Sequence, residues 1–194
     1  MKPTLILTLL CLSTLSFGQY VSKEDLISGA VLAASQEQQS GAMVYGYDGN
    51  GNLMVLRKGT NEIICIADNP KLNGFHVACY HKDLEPFMAR SRELRKQGKN
   101  NGEIFKIKEE EVKAGKLKMP EHPTTLHILS GPDGHFDSAT KKVVNANYRY
   151  VVYIPYATQK TTGLPLKPVT NGGPWLMDPG THRAHIMIST PSNK

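Results

Sequence analysis

Apolar residues recur at helical spacing over residues 22–39, where Leu26, Ile27, Ala30, Val31 and Ala34 fall on one side. Ser22 stands where an N-cap belongs, Glu24 and Asp25 occupy the first turn, which the helix dipole favours for acids, and Gly41 ends the run. The pattern then changes to that of strands. Residues 42–48 and 53–58 predict a hairpin across Asp48-Gly-Asn-Gly-Asn52, because Gly and Asn take positive φ at little cost. Asp48, Asn50 and Asn52 also match the first ligand positions of a calcium loop, but Leu53 replaces its Gly and Gly59 its bidentate Glu. Residues 62–68 and 75–81 predict a second strand pair. Residues 83–97 predict a helix capped by Asp83 and stopped by Gly98, with Leu84, Phe87, Met88 and Leu94 as its apolar face. A further helix is expected over 103–114, although its first residues, Ile104-Phe105-Lys106-Ile107, also suit a strand; Glu109, Glu110 and Glu111 read as a solvated helix face. Strands follow at 125–130, 147–156 and 184–189, with Pro155 limiting the second to an edge or an end. Residues 157–180 form a Pro- and Gly-rich crossing, long for a passive connector. This order predicts an α+β domain: a mostly antiparallel sheet with helices packed on it.

The amino terminus changes the setting. Lys2, an apolar run from Leu5 to Leu12, then Ser16 and Gly18 follow the order of a secretory signal peptide, expected over residues 1–19. Leu9 and Leu10 before Cys11 are not the small residues of a lipoprotein site, and no run reaches the ~20 residues a membrane-spanning helix needs. An exported single domain over residues 20–194 is therefore expected, periplasmic or extracellular, with no transmembrane segment. Cys65 and Cys79 then read as a disulfide. If strands 62–68 and 75–81 fold back symmetrically the two sulfurs face each other, and closing a loop of about 15 residues stabilises the fold by roughly 3 kcal/mol.

The net charge of +6 is uneven. Residues 71–118 hold 12 basic and 7 acidic side chains, whereas residues 19–70 hold 3 and 6. Export argues against nucleic acid as the partner, which leaves anionic ligands or an ordinary solvated face. Arg92, Arg95, Lys96 and Lys99 border the apolar face of the 83–97 helix, as stems that snorkel or as the rim of an anion-binding cleft. The other wall is expected from the Pro174 to His185 loop, part of the stretch Gly172 to Ile188 whose Pro and Gly residues force one path and which carries Trp175, Asp178, His182, Arg183 and His185.

Asp178, His182 and His185 are the candidate metal ligands, with His76 or His81 as additions, although no His-Glu-x-x-His motif accompanies them. No Gly-x-Ser-x-Gly elbow, phosphate loop or dinucleotide fingerprint occurs, and Cys79 near His81 acts as a nucleophile only if it is not bonded to Cys65.

The segments His81 to Arg90 and Pro174 to Met187 resemble stretches of an uncharacterised family of small exported bacterial proteins, as do the strand near Tyr150 to Tyr156 and the Lys116-Leu-Lys-Met-Pro120 connection. The resemblance implies export and one domain, and supplies no catalytic residue. The leading expectation is thus a binding or accessory protein for a small or peptide-like, anionic ligand, using Arg92, Arg95, Lys99, Trp175 and Arg183. A metal-dependent hydrolase and a structural component of an envelope assembly are its rivals.

Overall fold

The computed structural model describes residues 21–191, so the expected signal peptide lies outside the described residues. Helix α1 (Lys23–Val31) begins as anticipated, with the Ser22 hydroxyl accepting the Asp25 N–H at 3.0 Å. The single helix expected to Gln39 is instead two. Ser35 adopts an extended conformation and restarts the chain as α2 (Gln36–Gln39), while Ala33 and Ala34 in the break turn into the core. Strands β1 (Met43–Tyr47) and β2 (Leu53–Arg57) follow, and the Asp48 carboxylate accepts the N–H groups of Asn50 and Asn52, closing the turn between them.

Strands β3 (Ile63–Ile66) and β4 (Phe75–His81) pair antiparallel with Cys65 opposite Cys79, and the two sulfurs are bonded across Cα atoms 4.0 Å apart. A 3-10 turn (Lys82–Leu84) leads into α3 (Glu85–Lys96). Asp83 is not the cap. The His81 imidazole takes that role for the 3-10 turn by accepting the Asp83 N–H, and α3 starts only at the following turn. Gly98 stops α3 at φ 79°, a value an L side chain rarely adopts. Helix α4 (Asn101–Lys113) opens on a reciprocal capping box between Asn100 and Glu103.

Strand β5 (Thr124–Gly131) precedes a small hairpin, β6 (His135–Asp137) and β7 (Lys142–Val144), which the hydrophobic pattern did not reveal. After β8 (Asn147–Tyr153), the expected irregular crossing contains the short helix α5 (Gln159–Thr162) and strand β9 (Trp175–Met177); β10 (His185–Ser189) closes the fold. The main sheet runs β2-β1-β3-β4-β5-β8-β10-β9, antiparallel except for β1 against β3. β8 lies inside it, and Pro155 falls beyond the strand's end, where no ladder hydrogen bond is required.

Alternation along the strands gives the sheet two buried faces. Val44, Cys65, Val77, Cys79 and Leu129 pack under α1, and Ile64, Tyr80, Leu126, Val151 and Tyr153 face the α3 and α4 side with Leu84 and Phe87. No helix among the described residues is long and apolar enough to cross a membrane.

Candidate functional site

Helix α4 carries a stripe at helical spacing, Ile104, Lys108 and Val112, that turns toward the sheet. A lysine in that stripe is forced inward. Lys108 is 3% exposed; its Nζ donates to the Phe87 carbonyl at 2.9 Å and to the Ser91 hydroxyl at 2.5 Å, and lies 2.9 Å from the Phe87 ring centroid. No carboxylate within ion-pair distance balances it among the described residues. Burial, reinforced by the nearby Arg183 and Arg95 guanidiniums, pushes the ammonium down to about 6, so at neutral pH Lys108 is mainly an uncharged amine.

The neighbouring residue holds the carboxy-terminal loop. Asp178 at φ 50° and Gly180 at φ 73° bend the chain after β9, and the Thr181 hydroxyl closes the bend on the Asp178 carbonyl at 2.8 Å. That path drives His182 fully inside, between the rings of Phe87 and Phe105, with centroids 5.6 and 5.0 Å away. Its backbone N–H donates to Glu109 Oε2 at 2.9 Å, and its Nδ1 pairs with the same oxygen. Burial works against the Glu109 charge, but the Lys113 ammonium and both His182 bonds outweigh it and hold the carboxyl at about 2. Burial lowers the His182 pKa more than Glu109 raises it, so the ring is neutral, with its proton on Nδ1 and a bare acceptor at Nε2. That Nε2 is buried and has no hydrogen-bond partner among the described residues.

Between α3, α4 and the sheet lies a cavity of about 610 Å³. Ile66, Ala78, Leu126 and Ile128 form its floor; Met88, Ile104 and Phe105 roof it; Ser91, Lys108, Tyr153 and His182 line it too. Three expected ligand residues reach it, and they differ in availability. Arg92 is already engaged, donating to Glu85 at 2.5 Å and to the Tyr80 hydroxyl at 3.1 Å. Arg183 pairs with Asp178 at 2.8 Å and lies over the Phe105 ring. Arg95 lines the cavity, is exposed, and has no ion-pair partner among the described residues.

Lys99 and Trp175 do not line the cavity. Lys99 binds Glu103 at 3.1 Å, and Trp175 sits on the edge strand β9, pairing with Met187. The cleft is therefore not formed by the 174–185 loop against a helix edge: the helix pair, the sheet and the loop between β3 and β4 (Asp68, Asn69, Leu72 and Asn73) make its walls, and the 174–185 loop contributes only His182 and Arg183.

The proposed metal ligands Asp178, His182 and His185 are likewise engaged separately. Asp178 holds Arg183, His182 holds Glu109, and the His185 imidazole donates from Nδ1 to the Arg183 carbonyl at 2.7 Å. No group of three or more His, Cys, Asp or Glu side chains suited to a metal ion occurs among the described residues. Cys79 is bonded to Cys65 and offers no thiolate.

Lys108 and Glu109 escaped the sequence reading because 109–111 looked like a uniform acidic face. The structure divides it: Glu109 binds His182, Glu111 receives Arg90 through two nitrogens, and only Glu110 is exposed. The Ile104-Lys108-Val112 spacing was the available signal. No protein-family model, curated protein or solved structure matches this chain.

Proposed function

We propose that this is an exported binding protein whose ligand is a small molecule with an apolar body and one anionic end. The body would occupy the space between the α3 and α4 pair and the sheet, and the anion would meet Arg95. One observation carries the reading: a largely apolar-walled hollow of about 610 Å³ whose lining includes a guanidinium, that of Arg95, with no ion-pair partner among the described residues. A cavity of this size suits a small ligand, and a few polar groups in an apolar lining fix orientation. A guanidinium bonded to a carboxylate is worth more than a neutral contact, and Arg95 needs no existing ion pair broken. Export rests on the leader-like first residues and on the Cys65–Cys79 disulfide, which suits an oxidising compartment.

Titration calorimetry with octanoate, benzoate and inorganic phosphate tests the reading. Octanoate and benzoate are expected to bind and phosphate not, since phosphate cannot use the apolar walls. Arg95→Ala should weaken octanoate by about tenfold or more, the scale of one lost charge-assisted bond. Affinity that is equal in wild type and Arg95→Ala, and indifferent to salt, sinks the proposal.

A further inference from the structure

The inner end of the same cavity holds a group that simple anion binding does not use. Lys108 brings an amine into an apolar wall at 3% exposure with no carboxylate at ion-pair distance among the described residues and only the field of Glu111 opposing the effect of burial, an arrangement costly to keep unless the amine is neutral. Its two hydrogen bonds go to neutral oxygens, the Phe87 carbonyl and the Ser91 hydroxyl, neither of which requires an ammonium. The Phe87 ring that supports it also packs on His182, whose Nε2 is a buried acceptor with no donor among the described residues. Polar capacity at this end of the cavity is thus unmet from inside the protein. The Arg183 and Arg95 guanidiniums, whose fields reach Lys108, would draw an anionic ligand toward the amine.

We propose that Lys108 forms an imine with a carbonyl-bearing ligand, an aldehyde or ketone with an apolar body and a carboxylate, taken into the cavity between α3, α4 and the sheet. The inference rests on the binding reading above and adds the ligand's reactive group. Attack by Nζ on the carbonyl carbon forms the N–C bond and moves the C=O π pair onto oxygen. Both amine protons pass to that oxygen, which leaves as water, and the nitrogen lone pair closes the C=N bond. Nothing is oxidised or reduced. An amine uncharged at neutral pH is competent for this attack, whereas an ordinary exposed lysine, near 10.4, is almost wholly protonated.

The test uses 4-formylbenzoate with sodium cyanoborohydride at pH 7, which reduces any imine to a stable amine, followed by peptide mapping. Adduct is expected at Lys108 at least about tenfold faster than at exposed Lys58, Lys96 or Lys116, the gain that desolvated amines draw from their larger neutral fraction. It should vanish at that position in Lys108→Met, which preserves length and packing. Benzoate, which has no carbonyl, is titrated in parallel. Adduct spread over exposed lysines while benzoate still binds overturns the imine and leaves the binding reading standing. Failure of both overturns the two together. The wild-type map is decisive by itself, so a poorly folding variant does not rescue the proposal.

Discussion

The two faces of the sheet are built from one set of strands and differ in what they bury. Under α1 the buried residues are apolar, with Ala30, Ala33 and Ala34 letting the chain lie close over Val44, Val77 and the Cys65–Cys79 bridge. On the α3 and α4 side lie all four buried polar residues of the described chain, Lys108, Thr124, His182 and His185: Thr124 and His185 flank Tyr153 in the ladder, and the other two pack on Phe87. Small side chains and a covalent bridge make one face a brace. A hollow of about 530 Å³ borders α1 as well, so what sets the other face apart is its buried polar groups, whose desolvation opposes stability. Stability concentrated in one layer leaves the second able to carry groups unfavourable to folding.

The disulfide should show the largest effect. Replacing both cysteines in Cys65→Ala/Cys79→Ala is expected to cost about 3 kcal/mol in denaturant unfolding while leaving octanoate affinity unchanged. A comparable loss of affinity would mean that the two faces are not separable.

Glu109→Gln comes next and strikes the other face. The folded carboxyl at about 2 lies below the unfolded value of about 4.3, so its stabilisation is complete above the unfolded value and disappears as pH falls through the folded one. The variant should lose on the order of 2 kcal/mol at pH 7, discounted for partial exposure, and its stability should fall less steeply between about pH 4.5 and 2. Parallel acid-unfolding curves would show that the His182 bond contributes nothing.

The opposite sign is expected at Lys108. Its folded pKa, about 6, lies below the unfolded value of about 10.4, so between them the unfolded chain binds a proton that the folded one lacks, and wild-type stability falls as pH falls. Lys108→Met should therefore gain on wild type by about 1.4 kcal/mol for each pH unit from 9 down to 7. Denaturant melts at three pH values suffice, and a constant difference would place a charged ammonium in the wall.

Much of the α1 face was legible along the chain. The Ser22 cap, the Asp48 to Asn52 turn and the symmetric fold-back that pairs residue 65 with residue 79 depend on neighbours in sequence, and the structure has each of them. The cavity face was not. Arg92, Arg95 and Lys99 looked equivalent at helical spacing, yet Glu85 engages the first, the second has no ion pair among the described residues, and the third is taken up by Glu103 and does not line the cavity. Strand β9 is three residues within a Pro- and Gly-rich crossing, too short to show alternation, and exists because β10 offers it an edge.

Sequence alone determined the start of α1, the turn between β1 and β2, the disulfide partners and the mostly antiparallel character of the sheet, since periodicity, capping and turn chemistry act over a few residues. Tertiary structure decided which charges are buried and which meet. Lys108 faces Phe87 across 21 positions and His182 meets Glu109 across 73, and contacts at that range are set by how α3 and α4 settle over the sheet, which no local pattern encodes.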